Sequence, residues 1–191
     1  MIFSHAGAYR FHRIFLQHLQ SGVPDQWLLK SPAHLWQLDA LLAEYPDALI
    51  AQTHRDPLNV ISSIAAHTHH LRRMCSDQSS ITECAAQSYE EIIVGLEREM
   101  ALRDSGAVPA DRVIDVQFAD FMNDPWTTIE DIYERLRPDA EQKMRDFLAS
   151  RPSDGGRSRY TWADTGLDAV EVRERVGAYL DRYGVPTEHL R

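Results

Sequence analysis

The sequence has few cysteines and no long apolar run, and both absences narrow the class of protein. Its two cysteines, Cys75 and Cys84, do not form a CxxC pair, so we expect no disulfide framework and a reducing, cytoplasmic location. No apolar stretch approaches the ~20 residues that a membrane-spanning helix needs. The opening residues, MIFSHAGAYRFHR, lack the charged head and apolar stretch of a signal peptide. We therefore expect no membrane span.

Positive charge is also scarce. Lys and Arg number 20 against 29 Asp and Glu, which gives a net charge of −9. A nucleic-acid-binding surface would show a basic stripe, so no nucleic-acid partner is predicted. A nucleotide is not excluded, because screening over ~8 Å at physiological salt lets a few cations in one cleft act locally. The length of 191 residues predicts a single domain over residues 1–191 with its own core.

One short motif occurs twice: an apolar strand, a cation, a helix-capping residue, a proline and then a helical pattern. The first copy, WLLKSP, ends in Lys30, Ser31 and Pro32, and the second copy, ALIAQTHRDP, ends in Arg55, Asp56 and Pro57. Two successive strand–helix units favour a parallel sheet whose strand carboxyl ends open on one edge. We expect that edge to collect Lys30, His34 and Arg55 beside two helix N-termini, an arrangement that suits phosphate or sulfate.

The whole pattern predicts an α/β fold with a short parallel sheet flanked by helices. The predicted strands are 27–30, 48–53 and 112–118; the predicted helices are 5–20, 32–44, 57–74, 81–103, 125–136 and 168–183, with a further stretch at 140–148 and a loop at 151–164. Three strands are few, since such sheets usually have about five. A helix also precedes the first predicted strand, so we expect that earlier strands are missing from this sequence.

The segment THRDPLNVISS resembles the 3′-phosphate-binding segment of sulfotransferases that use 3′-phosphoadenosine 5′-phosphosulfate (PAPS). There an arginine at a strand end is followed eight residues later by a serine on the next helix, as Arg55 is by Ser63. Eight helical residues turn through about 800°, which brings Ser63 within ~80° of the helix face below Arg55. A guanidinium makes bidentate, charge-assisted bonds to phosphate. The alternative is an Arg55 paired with a carboxylate and a Ser63 that only packs.

Other segments resemble the same family in the same order. They are WLLKSPAHL, PDALIAQTHRDP, RVIDVQFADFMNDPWTTIEDIYERL and GGRSRYTWADTGLDAVEVRERVGAYLDRYGV. The resemblance covers about residues 9–185 and implies a P-loop-NTPase-like sulfotransferase fold. Such sulfotransferases hold the 5′-phosphosulfate with a Gly/Ser/Thr-rich strand–loop–helix ahead of the KSP segment. HAGAYR has one glycine and no lysine or threonine, and no GxxxxGK(S/T) pattern occurs, so we expect an N-terminally truncated form of the family.

Lys30 and His34 are the candidate catalytic residues. Sulfuryl transfer needs the acceptor deprotonated and the negative charge on the leaving oxygen neutralised. A histidine with a pKa near ~6.5 is a suitable base, and a lysine at a strand end can hold the departing phosphate. The resemblance implies such a Lys–His pairing here, although other members use a glutamate from the region ahead of KSP. The alternative for His34 is a capping or packing role at the helix start.

Two further groups of basic residues complete the candidates. Arg157 and Arg159 resemble the basic loop that closes over the 3′-phosphate in the family; the alternative is a solvated loop. His67 and His70 stand three residues apart on a helix, but no third ligand has a convincing spacing, so no metal is predicted.

The resemblance implies a sulfotransferase that moves a sulfuryl group from PAPS to a hydroxyl or amine. The acceptor would be a small molecule, a lipid or a carbohydrate, and the oligomeric state is open. One rival is a non-catalytic, nucleotide-binding remnant of a sulfotransferase, which the absence of a 5′-phosphosulfate loop favours. The other is a P-loop kinase-like phosphotransferase, against which the absence of a Walker lysine argues.

Overall fold

The computed structural model describes residues 6–22, 26–136 and 160–190, and this part of the chain is rich in helix. Two strands, β1 (Ile50–His54) and β2 (Val113–Gln117), lie side by side in a short parallel sheet. The helices are α1 (Ala6–Leu19), α2 (Leu38–Glu44), α3 (Pro57–Arg73), α4 (Ile81–Asp104), α5 (Phe118–Asn123), α6 (Pro125–Leu136), α7 (Ala169–Arg175) and α8 (Gly177–Tyr183). Short 3₁₀ turns cover Pro32–Trp36, Ala110–Arg112 and Trp162–Thr165. None of the described helices is both long and apolar enough to cross a bilayer.

The chain divides into two compact units. The first unit contains the described residues of 1–50 and 94–113, and the second contains those of 51–93 and 114–191. The expectation of a single domain over 1–191 stays a prediction.

The first unit has a small apolar core around α2. Its buried members are Leu38, Val108 and Val113, with Leu41, Leu42, Ile50 and Leu102 packed against them. The 3₁₀ turn Pro32–Trp36 lies against α4 at Gly95, where an added Cβ would stand 3.0 Å from the Trp36 ring and 3.1 Å from Leu35. The missing side chain at Gly95 therefore allows the turn to approach the helix closely.

The second unit is built around α3. Leu58, Ile61 and Ala65 recur at helical spacing and are fully buried. Ala65 packs on Cys84 and Ala85 of α4, and these small side chains permit a close helix–helix contact. This packing holds α3 in place, and with it the end of β1 that precedes the helix.

The predicted α/β fold, with its parallel sheet and flanking helices, is confirmed, and so are both helix caps. Ser31 Oγ and Asp56 Oδ1 each accept a hydrogen bond from the backbone N–H two residues on, at 3.3 and 3.1 Å. A proline opens each helical segment that follows. The predicted helix 57–74 agrees with α3 to within one residue.

The predicted strand at 27–30 is wrong. These residues have no regular secondary structure, and Trp27, Leu28 and Leu29 are exposed, Leu28 by 74%. A strand needs a neighbour to complete its hydrogen-bond ladder, and the sheet of the described residues contains only β1 and β2. An apolar run in the sequence favours a strand, but it does not show whether a second strand is available to pair with it.

Two helix predictions also need correction, and one helix was not predicted. The predicted helix 32–44 is a 3₁₀ turn followed by α2, because Gln37 (φ −141°, ψ 34°) leaves the helical region between them. The predicted helix 168–183 is interrupted at Val176 (φ −92°, ψ 1°) and forms α7 and α8. Helix α5 was not predicted, and the stretch 140–148 lies outside the described residues.

Candidate functional site

Arg55 follows the last residue of β1 and its guanidinium is held on two sides. Its Nε–H and Nη2–H donate to Oε1 and Oε2 of Glu188, both at 2.9 Å. Its Cζ lies 4.3 Å from the centroid of the Phe118 ring, so the planar cation rests on an aromatic face. The alternative weighed for Arg55, a carboxylate partner, is therefore present in the structure. A bidentate carboxylate and a phosphate use the same fork of donors.

Asp56, the next residue, is a buried junction. Its carboxylate caps α3 and also accepts from Arg173 Nη1–H at 2.8 Å and from the Glu188 backbone N–H at 2.7 Å. Because Asp56 already satisfies the first free amide of α3, an anion at this end of the helix would depend on the arginine side chains. Arg55 and Arg173 together balance the charges of Asp56 and Glu188.

His54 supports this corner from the buried side of β1. Its ring is fully buried, with Nδ1 2.8 Å from the Tyr179 hydroxyl and Nε2 2.7 Å from Asp115 Oδ1. The ring also stacks on Tyr183 with centroids 4.3 Å apart. These contacts fix β1, β2 and α8 to one another immediately before Arg55, which limits the movement of its backbone.

Ser63 is the seventh residue of α3 and is exposed. The buried residues Leu58, Ile61 and Ala65 define the core face of the helix, and Ser63 lies on the opposite face. Its hydroxyl is accessible for a ligand, while its pairing with Arg55 around one phosphate stays a prediction.

In the first unit, His34 lies in the 3₁₀ turn and its Nδ1 is 2.9 Å from the Tyr9 hydroxyl. Partial burial lowers the pKa of His34, and the positive charge of His12 lowers it further. Burial, and then the charges of Asp39 and Tyr45, raise the pKa of Tyr9. At neutral pH both groups are therefore uncharged, and the imidazole has a nitrogen that can accept a proton.

Lys30 is exposed and directly precedes the capping residue Ser31. Lys30 and His34 belong to the first unit, and Arg55 and Ser63 to the second. The predicted meeting of Lys30 and Arg55 at one sheet edge stays a prediction. Arg157 and Arg159 lie outside the described residues.

Several contacts of this site were not anticipated from the sequence. Glu188 stands 133 residues after Arg55, and no local pattern links them. Asp56 was predicted as a cap, but not as the acceptor for Arg173 and for the Glu188 amide. Phe118 directly follows β2, as Arg55 follows β1. Because the carboxyl ends of neighbouring parallel strands lie at one edge of the sheet, the contact of Phe118 with Arg55 could have been predicted.

Comparison with known proteins gives one consistent result. The protein-family model described as "Sulfotransferase family" matches residues 4–142 of this chain. The crystal structure of the sulfotransferase STF9 from Mycobacterium avium superposes with a TM-score of 0.84 at 25% identity, covering 97% of this chain and 49% of that one. For the sulfotransferase STF1 from Mycobacterium tuberculosis the TM-score is 0.75 at 30% identity, covering 92% of this chain and 46% of that one.

The chain thus spans about half the length of the solved structures that it resembles. No curated protein matches it significantly.

Proposed function

This chain belongs to the sulfotransferase family, and from that premise we propose that it binds PAPS and transfers a sulfuryl group to a hydroxyl or amine acceptor. The acceptor class is a small molecule, a lipid or a carbohydrate. The observation that carries the proposal is Arg55, a guanidinium fixed on an aromatic ring at the end of a parallel strand. Such a preoriented fork suits the 3′-phosphate of the donor.

Arg55 and Ser63 are the proposed 3′-phosphate ligands, with Arg157 and Arg159 as further phosphate contacts. Arg55 contributes charge and two parallel hydrogen bonds, and Ser63 contributes a neutral hydroxyl on an accessible helix face. When bound, PAPS would supply an activated sulfuryl group. Lys30 is proposed to donate a hydrogen bond to the phosphate oxygen that gains negative charge as the group leaves.

His34 is the proposed base. Because its Nδ1 is hydrogen bonded to Tyr9, Nε2 is the nitrogen that would take the acceptor proton. This role requires the tautomer in which Nδ1–H donates to the Tyr9 oxygen. The raised pKa of Tyr9 keeps the phenol neutral, and its oxygen can still accept that hydrogen bond.

Titration calorimetry with adenosine 3′,5′-bisphosphate tests the phosphate site. Arg55→Ala should weaken binding by ~1.5–3 kcal/mol, because it removes a charged donor, and Ser63→Ala by ~0.5–1.5 kcal/mol. Arg73→Ala is the matched control, since Arg73 is an exposed arginine at the other end of α3. It should leave the affinity unchanged.

Two results with the same proteins would contradict the proposed phosphate site. Folded wild-type protein that gives no heat with the nucleotide would refute the proposal for this chain. Equal affinities in wild type, Arg55→Ala and Arg73→Ala would show that the bound nucleotide uses another site.

A second candidate function is nucleotide binding without catalysis. Its specific support is that the oriented fork of Arg55 lies in one compact unit, whereas the proposed catalytic residues Lys30 and His34 belong to the other. It predicts that the nucleotide binds while incubation with PAPS and a panel of hydroxyl and amine acceptors gives no sulfated product. Product that disappears in His34→Gln with unchanged nucleotide affinity would instead favour the enzyme.

The proposed location is the cytoplasm. Cys75 and Cys84 are both free thiols, and Cys75 is exposed, which suits a reducing compartment.

A further inference from the structure

The carboxylate of Glu188 takes both donors that Arg55 would present to a phosphate. Nε–H and Nη2–H of Arg55 point at its two oxygens, each at 2.9 Å. This is the fork geometry in which a guanidinium binds a phosphate through two oxygens. The ligand and Glu188 therefore compete for the same two hydrogen bonds.

We propose that Glu188 is an internal competitor of the anionic ligand, so that nucleotide binding requires its carboxylate to leave Arg55. The inference rests on the proposed function of Arg55 as a phosphate ligand. It makes segment 185–190 a regulator of that site, because anything that displaces Glu188 exposes the arginine fork.

The charges near Arg55 explain why an anion would take the place of Glu188. Two arginines, Arg55 and Arg173, are matched by the two carboxylates of Asp56 and Glu188. When Glu188 withdraws, these groups keep one net positive charge, which a phosphate can satisfy. Arg55 and Glu188 are 35% and 32% exposed, and partly exposed pairs are weak enough for a dianion to displace.

The carboxylate can withdraw without unfolding the segment that holds it. The Glu188 backbone N–H is bound to Asp56, and Val185 is buried and donates its own N–H to Leu180 at 3.0 Å. Phe118 continues to support the Arg55 guanidinium after the exchange. The change is therefore a rotation of the Glu188 side chain. Only molecules in which Glu188 has left Arg55 can bind the nucleotide, so the apparent affinity is the intrinsic affinity multiplied by the fraction of such molecules.

Calorimetry on the full chain with adenosine 3′,5′-bisphosphate measures the competition. Glu188→Gln removes the charged competitor and retains the side-chain length, so the affinity should rise roughly two- to fivefold. Glu90→Gln is the matched control: it makes the same change of net charge at an exposed position on α4 and should leave the affinity unchanged. The gain from Glu188→Gln should vanish when Arg55→Ala is also present.

A second measurement follows the contact itself. The Nε–H resonance of Arg55 in wild type should shift on saturation with the nucleotide, and in unliganded Glu188→Gln it should exchange faster with water. Thermal melts confirm that the variants compared are folded.

The outcomes separate this inference from the proposed function. If wild type and Glu188→Gln bind the nucleotide equally while Arg55→Ala binds weakly, Arg55 is a phosphate ligand and the competition is refuted. If neither binds it, the phosphate site is wrong and the competition is wrong with it. An equal gain in Glu90→Gln and Glu188→Gln would assign the effect to net charge and would also overturn the inference.

Discussion

The two copies of the strand–cation–cap–proline motif have the same local design and different surroundings. In the second copy, Arg55-Asp56-Pro57, a five-residue strand precedes the motif and a helix of 17 residues follows it. In the first copy, Lys30-Ser31-Pro32, the preceding described residues form no strand, and a five-residue 3₁₀ turn follows. The cap forms in both because it needs only neighbouring residues. The strand forms only where a second strand pairs with it.

The capping residues differ in a second way. Ser31 is partly exposed, and its Oγ accepts from the Ala33 amide. Asp56 is fully buried and accepts from Leu58, Arg173 and Glu188. One motif thus ends in a local cap, and the other in a junction that joins distant parts of the second unit.

Asp56→Ala should have the largest effect on stability. It leaves a buried amide and the Arg173 guanidinium without their acceptor, so we expect the free energy of unfolding to fall by ~3–5 kcal/mol. Urea denaturation followed by circular dichroism measures this. Asp56→Asn is the control that retains an acceptor oxygen, and it should lose less. A loss of ~1 kcal/mol or less for Asp56→Ala would show that Asp56, like Ser31, is only a local cap.

Gly95→Ala tests whether packing of the 3₁₀ turn on α4, rather than a strand ladder, holds the first copy of the motif in position. The added Cβ would meet the Trp36 ring at 3.0 Å, so the 3₁₀ turn must shift, and we expect a net loss of ~1–2 kcal/mol despite the better helix propensity of alanine. Gly7→Ala in α1 is the matched control, because a Cβ there meets nothing within 4 Å. It should stabilise by up to ~1 kcal/mol. Stabilisation by both changes would mean that the turn does not depend on this packing.

Ser31→Ala should cost about 0.5–1 kcal/mol, a typical value for a solvent-accessible cap. Ser31→Asp should retain the cap, since an aspartate oxygen can accept the same amide. Urea midpoints of the two variants and wild type give the comparison. A loss for Ser31→Ala as large as that of Asp56→Ala would mean that the two motifs do not differ in the way their burial indicates.

The sequence predicts the parts of this protein that depend on near neighbours. Both caps and the long helices α3 and α4 follow from capping residues, proline position and apolar spacing. The strand at 27–30 was wrong because pairing depends on a distant partner. The contact between Arg55 and Glu188 was missed for the same reason, since it joins residues 133 positions apart. The resemblance to sulfotransferases identified candidate residues such as Arg55, but it did not identify the side chains that they contact.

The smallest predicted effect is a pH dependence that only the first motif has. His34 stands three residues after Ser31, and the corresponding residue after Asp56 is Asn59, which does not titrate. Burial, and then the charge of His12, lower the pKa of His34 below its usual 6.5. The His34 imidazole therefore becomes protonated at a higher pH in the unfolded chain than in the folded chain. Stability from this group is complete above pH ~6.5 and falls as the pH drops toward the lower folded pKa.

His34→Gln should flatten the slope of unfolding free energy against pH below about pH 6.5, because glutamine can keep a hydrogen bond to Tyr9 and does not titrate. The effect is small, since the imidazole is only partly buried. Urea denaturation across this pH range measures it. Asn59→Gln, the matched change in the second motif, should leave the slope of wild type unchanged. An identical slope in wild type and His34→Gln would show that the imidazole titrates as it does in the unfolded chain, and His34 would lose the lowered pKa that keeps it a neutral base at pH 7.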